Sequence, residues 1–156
     1  MAKGTPATVA LAKAGVAFTL HEYDYDPGDD GVGWQAAQTL GLDPARVFKT
    51  LMLEAGGERL CVLVASEGTI NLKRLAAAVD AKDAALLPPA DAERATGYRV
   101  GGISPFGQKK RARTILDRAA LGFPTIFVSG GRRGLEIEVR PADLVRLLEA
   151  QVMELT

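Results

Sequence analysis

The fold is decided by the stretch Val47-Phe-Lys-Thr-Leu-Met-Leu-Glu-Ala-Gly-Gly-Glu-Arg-Leu-Cys-Val-Leu-Val-Ala-Ser66. Two runs rich in aliphatic and β-branched residues, 47–55 and 59–66, flank the pair Gly56-Gly57. A short glycine turn between two such runs is typical of a β-hairpin, because glycine adopts the left-handed backbone that tight turns require. We therefore expect a pair of adjacent strands in the middle of the chain.

Helix and strand signals alternate on both sides of this hairpin. Thr5 followed by Pro6 marks a helix start, since Thr caps a helix and Pro suits its first position. Helices are predicted at 6–14, 34–40, 72–79, 91–94 and from Pro141 onward, and further strands at 18–23, 126–128 and 135–139, the last two forming a second hairpin. Because these signals lack the regular repeat of a doubly wound sheet, we expect an α+β fold with a curved mixed sheet and outer helices.

Size and composition limit the organisation of the chain. Its 156 residues, 47% of them hydrophobic, suffice for one good core and not for two ordinary ones. We therefore expect a single domain over residues 1–156. No run approaches the roughly 20 apolar residues that span a bilayer, so we expect a cytoplasmic protein without a membrane partner.

The residues most often used in catalysis and metal binding are scarce. With one cysteine, Cys61, and one histidine, His21, a disulfide framework is impossible and a zinc site is not expected. Both residues lie in β-type alternations, where a core or rim position is the more common role. Ser129 or Ser104 could in principle work with His21, but their spacing does not support a catalytic triad. We expect no metal and no cofactor.

The formal net charge is zero, but the charges are segregated along the chain. Acidic residues are concentrated at 22–30, whereas 109–113 contains four basic residues and no acidic one: Lys109, Lys110, Arg111 and Arg113. Such a cluster could bind a few phosphates, which suits one end of an RNA better than a long duplex or DNA. The alternative interpretation is a solvated turn.

Lys49 is the strongest candidate for chemistry. Strand alternation places it on the same face as Val47, Leu51 and Leu53, which are all aliphatic. A lysine facing an apolar interior either extends its ammonium group to the rim or occupies a cleft where a ligand needs a donor. In a cleft it could stabilise negative charge that develops on an ester oxygen.

Two glycine-containing segments could present backbone groups to a ligand. The first is 96–107, with glycines at 97, 101, 102 and 107, and the second is Ser129-Gly130-Gly131 after an apolar strand. Glycine allows close approach of the backbone, and successive amides can bind an oxyanion or phosphate. A plain surface turn and a hairpin turn are the respective alternatives.

Taken in order, these segments resemble the YbaK/EbsC family of Cys-tRNA(Pro) deacylases, relatives of the editing domain of bacterial prolyl-tRNA synthetases. The resemblance covers nearly the whole chain. It rests on the acidic loop and on Val47-Phe-Lys-Thr-Leu51, Thr96-Gly-Tyr98, Gly101-Gly-Ile-Ser-Pro-Phe-Gly-Gln-Lys-Lys110, Thr125-Ile-Phe-Val-Ser-Gly-Gly131 and Arg133-Gly-Leu135.

The resemblance implies a barrel-like α+β fold and a trans-editing hydrolase that acts on the acceptor end of aminoacyl-tRNA. Lys49 matches the essential lysine of the family, and the remaining implied contacts with the substrate are Tyr23, Thr50, Gly101, Gly102, Ser129 and Gly131. The substrate thiol is proposed to attack its own ester, so no protein nucleophile is needed. Prolyl-tRNA synthetase is the implied partner.

Two positions depart from the family pattern. Relatives usually carry an aromatic residue just before Gly33, where this chain has Val32 and then Trp34, and many have Asp in place of Glu136. These differences affect adenine stacking and the amino acid preferred. Cys-tRNA(Pro) is the favoured substrate, and Ala-tRNA(Pro) or another small aminoacyl-tRNA is the alternative. A non-catalytic module that binds an RNA 3′ end or an aminoacyl group is the second hypothesis.

Overall fold

The computed structural model of this protein describes residues 4–26 and 32–156. Its helices are α1 (Pro6–Lys13), α2 (Val32–Leu40), α3 (Leu72–Ala78), α4 (Pro89–Thr96) and α5 (Pro141–Leu148). Its strands are β1 (Thr19–Glu22), β2 (Phe48–Ala55), β3 (Glu58–Ala65), β4 (Ala84–Leu86), β5 (Arg113–Asp117), β6 (Ile126–Ser129), β7 (Leu135–Val139) and β8 (Gln151–Met153). Short 3₁₀ helices occupy Pro44–Arg46 and Arg118–Gly122.

The predicted central hairpin is confirmed. Strands β2 and β3 pair antiparallel over their full lengths, from Phe48 opposite Ala65 to Ala55 opposite Glu58. Gly56 and Gly57 form the turn with φ angles of 59° and 78°, a region that glycine enters without steric cost. The second predicted hairpin is also confirmed, since β6 and β7 pair antiparallel.

The strands form two sheets. The larger sheet has the order β4-β2-β3-β5-β8, and the smaller one the order β1-β7-β6. One parallel bridge, between Val47 and Phe127, brings the start of β2 beside β6. The α+β class is therefore confirmed, but the expected barrel-like closure is not seen in the described residues. The two sheets remain open because this bridge is too short to continue one sheet into the other.

Strand β2 is covered by apolar side chains on both faces. Phe48 and Met52 belong to a buried cluster that also includes Ile126 and Ile137 of the smaller sheet. The opposite face of β2 contributes to a second cluster, which consists of Leu53, Ala55, Leu60, Val62, Val64, Leu75, Ile115 and Leu155. Burial on both faces explains why the sequence of β2 is mostly apolar instead of strictly alternating.

The structure contains elements that local sequence signals did not predict. Strands β4, β5 and β8 are short and join the larger sheet at or near its edges. Helix α2 begins at Val32 instead of residue 34, and α4 spans Pro89–Thr96 instead of 91–94. None of the helices in the described residues has the length and hydropathy needed to cross a membrane.

Candidate functional site

Lys49 lies near the start of β2, opposite Val64 of β3. Its side chain is half-buried, and its Nζ donates a hydrogen bond of 2.8 Å to the carbonyl oxygen of Gly68. Burial lowers the pKa of the ammonium group, since the charged form is less well solvated there than in water. The charge is thus neither in bulk solvent nor sealed inside the core.

The bridge between β2 and β6 places Lys49 and Ser129 on one face. Val47 and Phe127 are directly opposite each other in this parallel bridge. Directly paired residues point to the same side of a sheet, and side chains alternate along each strand. Lys49 and Ser129 are each two residues beyond the bridge, so both face that side. The structure brings together two residues that the sequence predicts for the site.

Glu136 continues this arrangement across the smaller sheet. It is paired with Ser129 of β6 and with His21 of β1. Its side chain is only 4% exposed, and burial raises its pKa to about 8. A carboxyl group with this pKa is mostly protonated at neutral pH. Sequence reasoning noted Glu136 only as a departure from the family pattern, although its pairing with Ser129 makes it part of the same face.

Tyr23 lies next to Glu136. Its backbone N–H donates to the carbonyl oxygen of Gly134 at 2.9 Å, which extends the pairing of β1 with β7. Burial, followed by the negative charge of Glu136, raises the pKa of Tyr23 to about 12. Lys49, Ser129, Glu136 and Tyr23 therefore lie on one face, and we refer to these four residues as the candidate site.

His21 and Cys61 are structural. His21 Nε2 lies 2.8 Å from Glu138 Oε1, and the imidazole packs edge-on against the Phe127 ring. Cys61 is fully buried, and burial raises its thiol pKa to about 12, which leaves it protonated and unreactive. The core and rim roles expected for these two residues are confirmed.

Thr50 lies on the other side of β2 from Lys49. Its neighbours on that face, Phe48 and Met52, pack into the cluster shared with the smaller sheet. The Thr50 hydroxyl is buried without a hydrogen-bond partner among the residues that the structure describes. The structure therefore does not bring the Thr50 side chain to the face that carries Lys49.

The two glycine-containing segments pack against each other. A Cβ atom at Gly102 would lie 2.8 Å from Cα of Arg132, and one at Gly101 would collide with the guanidinium of Arg133. Arg133 Nη2 also donates a hydrogen bond of 2.8 Å to the carbonyl oxygen of Val100. The contact with the Arg132 backbone explains the glycine at 102, because a larger residue there would push the segments apart. At 101 the φ angle of 92° favours glycine, since the guanidinium of Arg133 could move aside.

Backbone amides in the turn after β6 are already engaged. The N–H of Gly131 donates to the hydroxyl oxygen of Ser129 at 3.2 Å, and the N–H of Gly130 donates to the carbonyl oxygen of Leu135 at 2.8 Å. Thr5 Oγ1 donates to the carbonyl oxygen of Gly130 and ties the turn to the start of α1. An anion bound to these amides would have to replace existing hydrogen bonds.

The basic cluster begins beside the end of α4, where the N–H groups of Lys109 and Lys110 donate to Thr96 and Ala95, and it ends at the start of β5. Arg113 is paired with Leu60, four residues from Val64, which corresponds to about 13 Å along a strand. Arg111 forms an ion pair with Glu149 at 2.9 Å, and Arg113 forms one with Glu58 at 3.1 Å. Lys109 and Lys110 are exposed. The structure thus separates Arg113 from Lys49 along the larger sheet.

Sequence comparison identifies the class to which the fold and the site belong. Residues 34–147 match the family model described as the aminoacyl-tRNA editing domain. The chain is 36% identical over 138 residues to the EbsC protein of Enterococcus faecalis, which is named as a candidate Cys-tRNA(Pro)/Cys-tRNA(Cys) deacylase. That match covers 86% of this chain and 84% of EbsC. The chain belongs to the aminoacyl-tRNA editing domain family.

A further relative and two solved structures are also similar to this chain. A proline–tRNA ligase of Acidithiobacillus ferrooxidans is 30% identical over 88 residues, covering 56% of this chain and 15% of the ligase. A crystal structure described as a candidate trans-editing enzyme for prolyl-tRNA synthetase has a TM-score of 0.86 at 24% identity, covering 97% of this chain and 94% of that chain. The hypothetical protein APE2540 has a TM-score of 0.87 at 22% identity, covering 97% and 99%. These two structures support the fold.

The packing of the glycine segments predicts a large effect for Gly102→Ala. The new methyl group would meet the backbone of Arg132, so we expect a loss of about 1–3 kcal/mol in the free energy of unfolding, measured in urea. The matched control is Gly122→Ala, because a Cβ at Gly122 has nothing within 4 Å. Equal stability of the two variants would contradict the proposed close packing.

Burial of Glu136 predicts a specific dependence of stability on pH. Its folded pKa of about 8 exceeds the ordinary value of 4.5, so the folded protein holds a proton that the unfolded chain releases between these values. The stability of the native protein should fall as pH rises through this window. Glu136→Gln should remove this pH dependence, because glutamine does not ionise. The free energy of unfolding of the variant should therefore rise relative to that of the native protein as the pH increases towards 8.

The control for this measurement is Glu67→Gln, because Glu67 is exposed in a turn. Unfolding by urea at several pH values reports the difference in free energy between each variant and the native protein. A constant difference for Glu136→Gln across the whole window would contradict the buried, protonated carboxyl group.

Proposed function

We propose that this protein is a trans-editing deacylase, which hydrolyses the ester that joins an amino acid to the 3′ end of a mischarged tRNA. Membership of the editing-domain family supports the class of reaction. The observation that carries the proposal is a half-buried Lys49 on the same sheet face as Ser129 and the buried Glu136. Perturbed ionisable groups on a shared face are typical of a catalytic site.

The ammonium group of Lys49 has hydrogen-bonding capacity left for a substrate. Lysine has three N–H donors, and one of them is used by the carbonyl oxygen of Gly68. The others can donate to the ester carbonyl oxygen, which gains negative charge during attack. The interaction is stronger than it would be in water, because the surroundings of Lys49 are partly desolvated.

The nucleophile in this proposal comes from the substrate. Cys61 is buried and protonated, and the Ser129 hydroxyl oxygen accepts the N–H of Gly131. With a cysteinyl ester, the substrate sulfur attacks its own carbonyl carbon, a C–S bond forms, and the C–O bond to the ribose breaks. The thiol proton ends on the ribose oxygen, and water then hydrolyses the cyclic thioester.

Cys-tRNA(Pro) is the favoured substrate. The name of the Enterococcus faecalis relative supports this choice. Ala-tRNA(Pro) is the alternative, and its hydrolysis would require a water molecule as nucleophile.

The matching segment of a proline–tRNA ligase supports prolyl-tRNA synthetase as a partner. In this proposal residues 1–156 act as one cytoplasmic editing domain that works on the acceptor end of the tRNA released by that synthetase.

Lys49→Met should reduce kcat/KM for deacylation of Cys-tRNA(Pro) by at least about 100-fold. Methionine keeps an unbranched apolar side chain on β2 while removing the ammonium group, so the fold should be retained. The measurement is release of labelled cysteine from the tRNA, with Lys73→Met, a change at an exposed lysine on α3, as the matched control.

Full activity of Lys49→Met would overturn the proposed role of the ammonium group. Salt-sensitive binding of Cys-tRNA(Pro) by the native protein without ester loss would instead identify a non-catalytic binding module. The same assay on Ala-tRNA(Pro), with and without prolyl-tRNA synthetase, separates the two substrates and reveals any dependence on the partner.

A further inference from the structure

A cavity of about 440 Å³ lies beside the turn that follows Ser129. It is formed where the two glycine-containing segments meet, and its walls include Arg99, Val100, Gly102, Gly131, Arg132 and Arg133. Its volume is in the range of cavities that bind small organic molecules. We refer to it as the arginine cavity.

Basic side chains outnumber acidic ones in the lining of the arginine cavity. Three arginines line it against a single carboxylate, that of Glu93, which accepts a hydrogen bond from the N–H of Val100 at 2.9 Å. The guanidinium of Arg99 is exposed and has no hydrogen bond or ion pair to any residue that the structure describes. This leaves a net positive charge that attracts an anion.

Arg132 and Arg133 differ in how freely they can bind a ligand. Arg132 forms an exposed ion pair with Glu22 at 3.2 Å, and such surface pairs contribute little free energy. Arg133 holds the carbonyl oxygen of Val100 and lies over the Tyr25 ring. Arg99 and Arg132 are therefore available to a ligand, whereas Arg133 mainly fixes the wall between the two segments.

The cavity lies beside the candidate site, and this position indicates which anion it would meet in an aminoacylated RNA. Gly131 and Arg132 follow Ser129 directly in sequence, and Ser129 belongs to the candidate site. In an aminoacylated RNA, the groups nearest to the 3′ ester are the ribose and then the phosphates on its 5′ side. Guanidinium groups bind phosphate through two parallel hydrogen bonds, so their geometry suits this backbone.

We propose that the arginine cavity binds the backbone phosphates of the single-stranded 3′ end of the RNA, with Arg99 and Arg132 as the contacting residues. This proposal rests on the proposed function and assigns its RNA contact to a different surface from the 109–113 cluster. Arg111 and Arg113 of that cluster form ion pairs with Glu149 and Glu58, whereas Arg99 has no such partner among the residues that the structure describes. Lys109 lies beside Gly97 in the cavity wall, so the test has to compare the two groups of cations directly.

The test compares two double variants, each of which removes two positive charges from exposed positions. Arg99→Ala with Arg132→Ala should weaken binding of a labelled single-stranded RNA ending in CCA by roughly tenfold, as expected for the loss of two phosphate contacts. The negative slope of log K against log salt concentration should also become shallower by about 1.4. Lys109→Ala with Lys110→Ala should change the affinity by less than about twofold.

Any other pattern in this binding series overturns the proposal. A larger effect of the lysine variant would assign the phosphates to the 109–113 cluster, and equal effects would indicate a diffuse attraction to positive charge. No effect of the arginine variant would mean that the cavity does not contact the RNA. Arg133 is left unchanged because its removal would loosen the contact with Val100.

A kinetic comparison separates this proposal from the proposed function. The arginine variant should lower kcat/KM for Cys-tRNA(Pro) and leave it unchanged for cysteinyl-adenosine, an ester without phosphate. Equal losses on both esters would overturn the phosphate contact. If the native protein hydrolyses neither ester, the proposed function fails, while the RNA-binding series still decides whether the cavity binds phosphate.

Discussion

A single parallel bridge between Val47 and Phe127 determines which side chains share a face in this protein. Within the described residues it is the one backbone bridge between the central hairpin and the three-stranded sheet, and apolar packing joins them as well. Because side chains alternate in register from that point, Lys49 comes to the same side as Ser129, and Glu136 follows through the pairing of β6 with β7. A shift of one residue at the bridge would turn Lys49 away from both residues.

Two ionisable groups on this face are held in unfavourable surroundings. Burial lowers the pKa of Lys49 and raises that of Glu136, so each group has partly lost the solvation of its charged form. Such positions cost folding free energy, and ionisable groups with shifted pKa values cluster at the functional sites of proteins. The packing of Gly102 against Arg132 limits movement beside the site, since closely packed backbone segments cannot shift independently.

Local signals in the sequence predicted those elements whose ends are marked by turn or cap residues. The hairpin around Gly56-Gly57 and the helix that starts at Thr5-Pro6 have distinct turn and cap residues, and Thr5 indeed caps α1. Strands β4, β5 and β8 were not predicted, because they depend on pairing with segments that are distant in the chain, and β4 and β8 are only three residues long. Barrel-like closure was expected from the family resemblance, and residues 4–26 and 32–156 form two open sheets instead.

The candidate site was predictable in part. Alternation along β2 identified Lys49, but its proximity to Ser129 depends on the bridge between distant segments, and the place of Glu136 depends on sheet register. The most direct measurement is nuclear magnetic resonance with a stable amide analogue of cysteinyl-adenosine. The account predicts that the analogue shifts the signals of Lys49, Ser129 and Glu136, with Lys110 unchanged. Shifts at Lys110 with an unaffected Lys49 would contradict it.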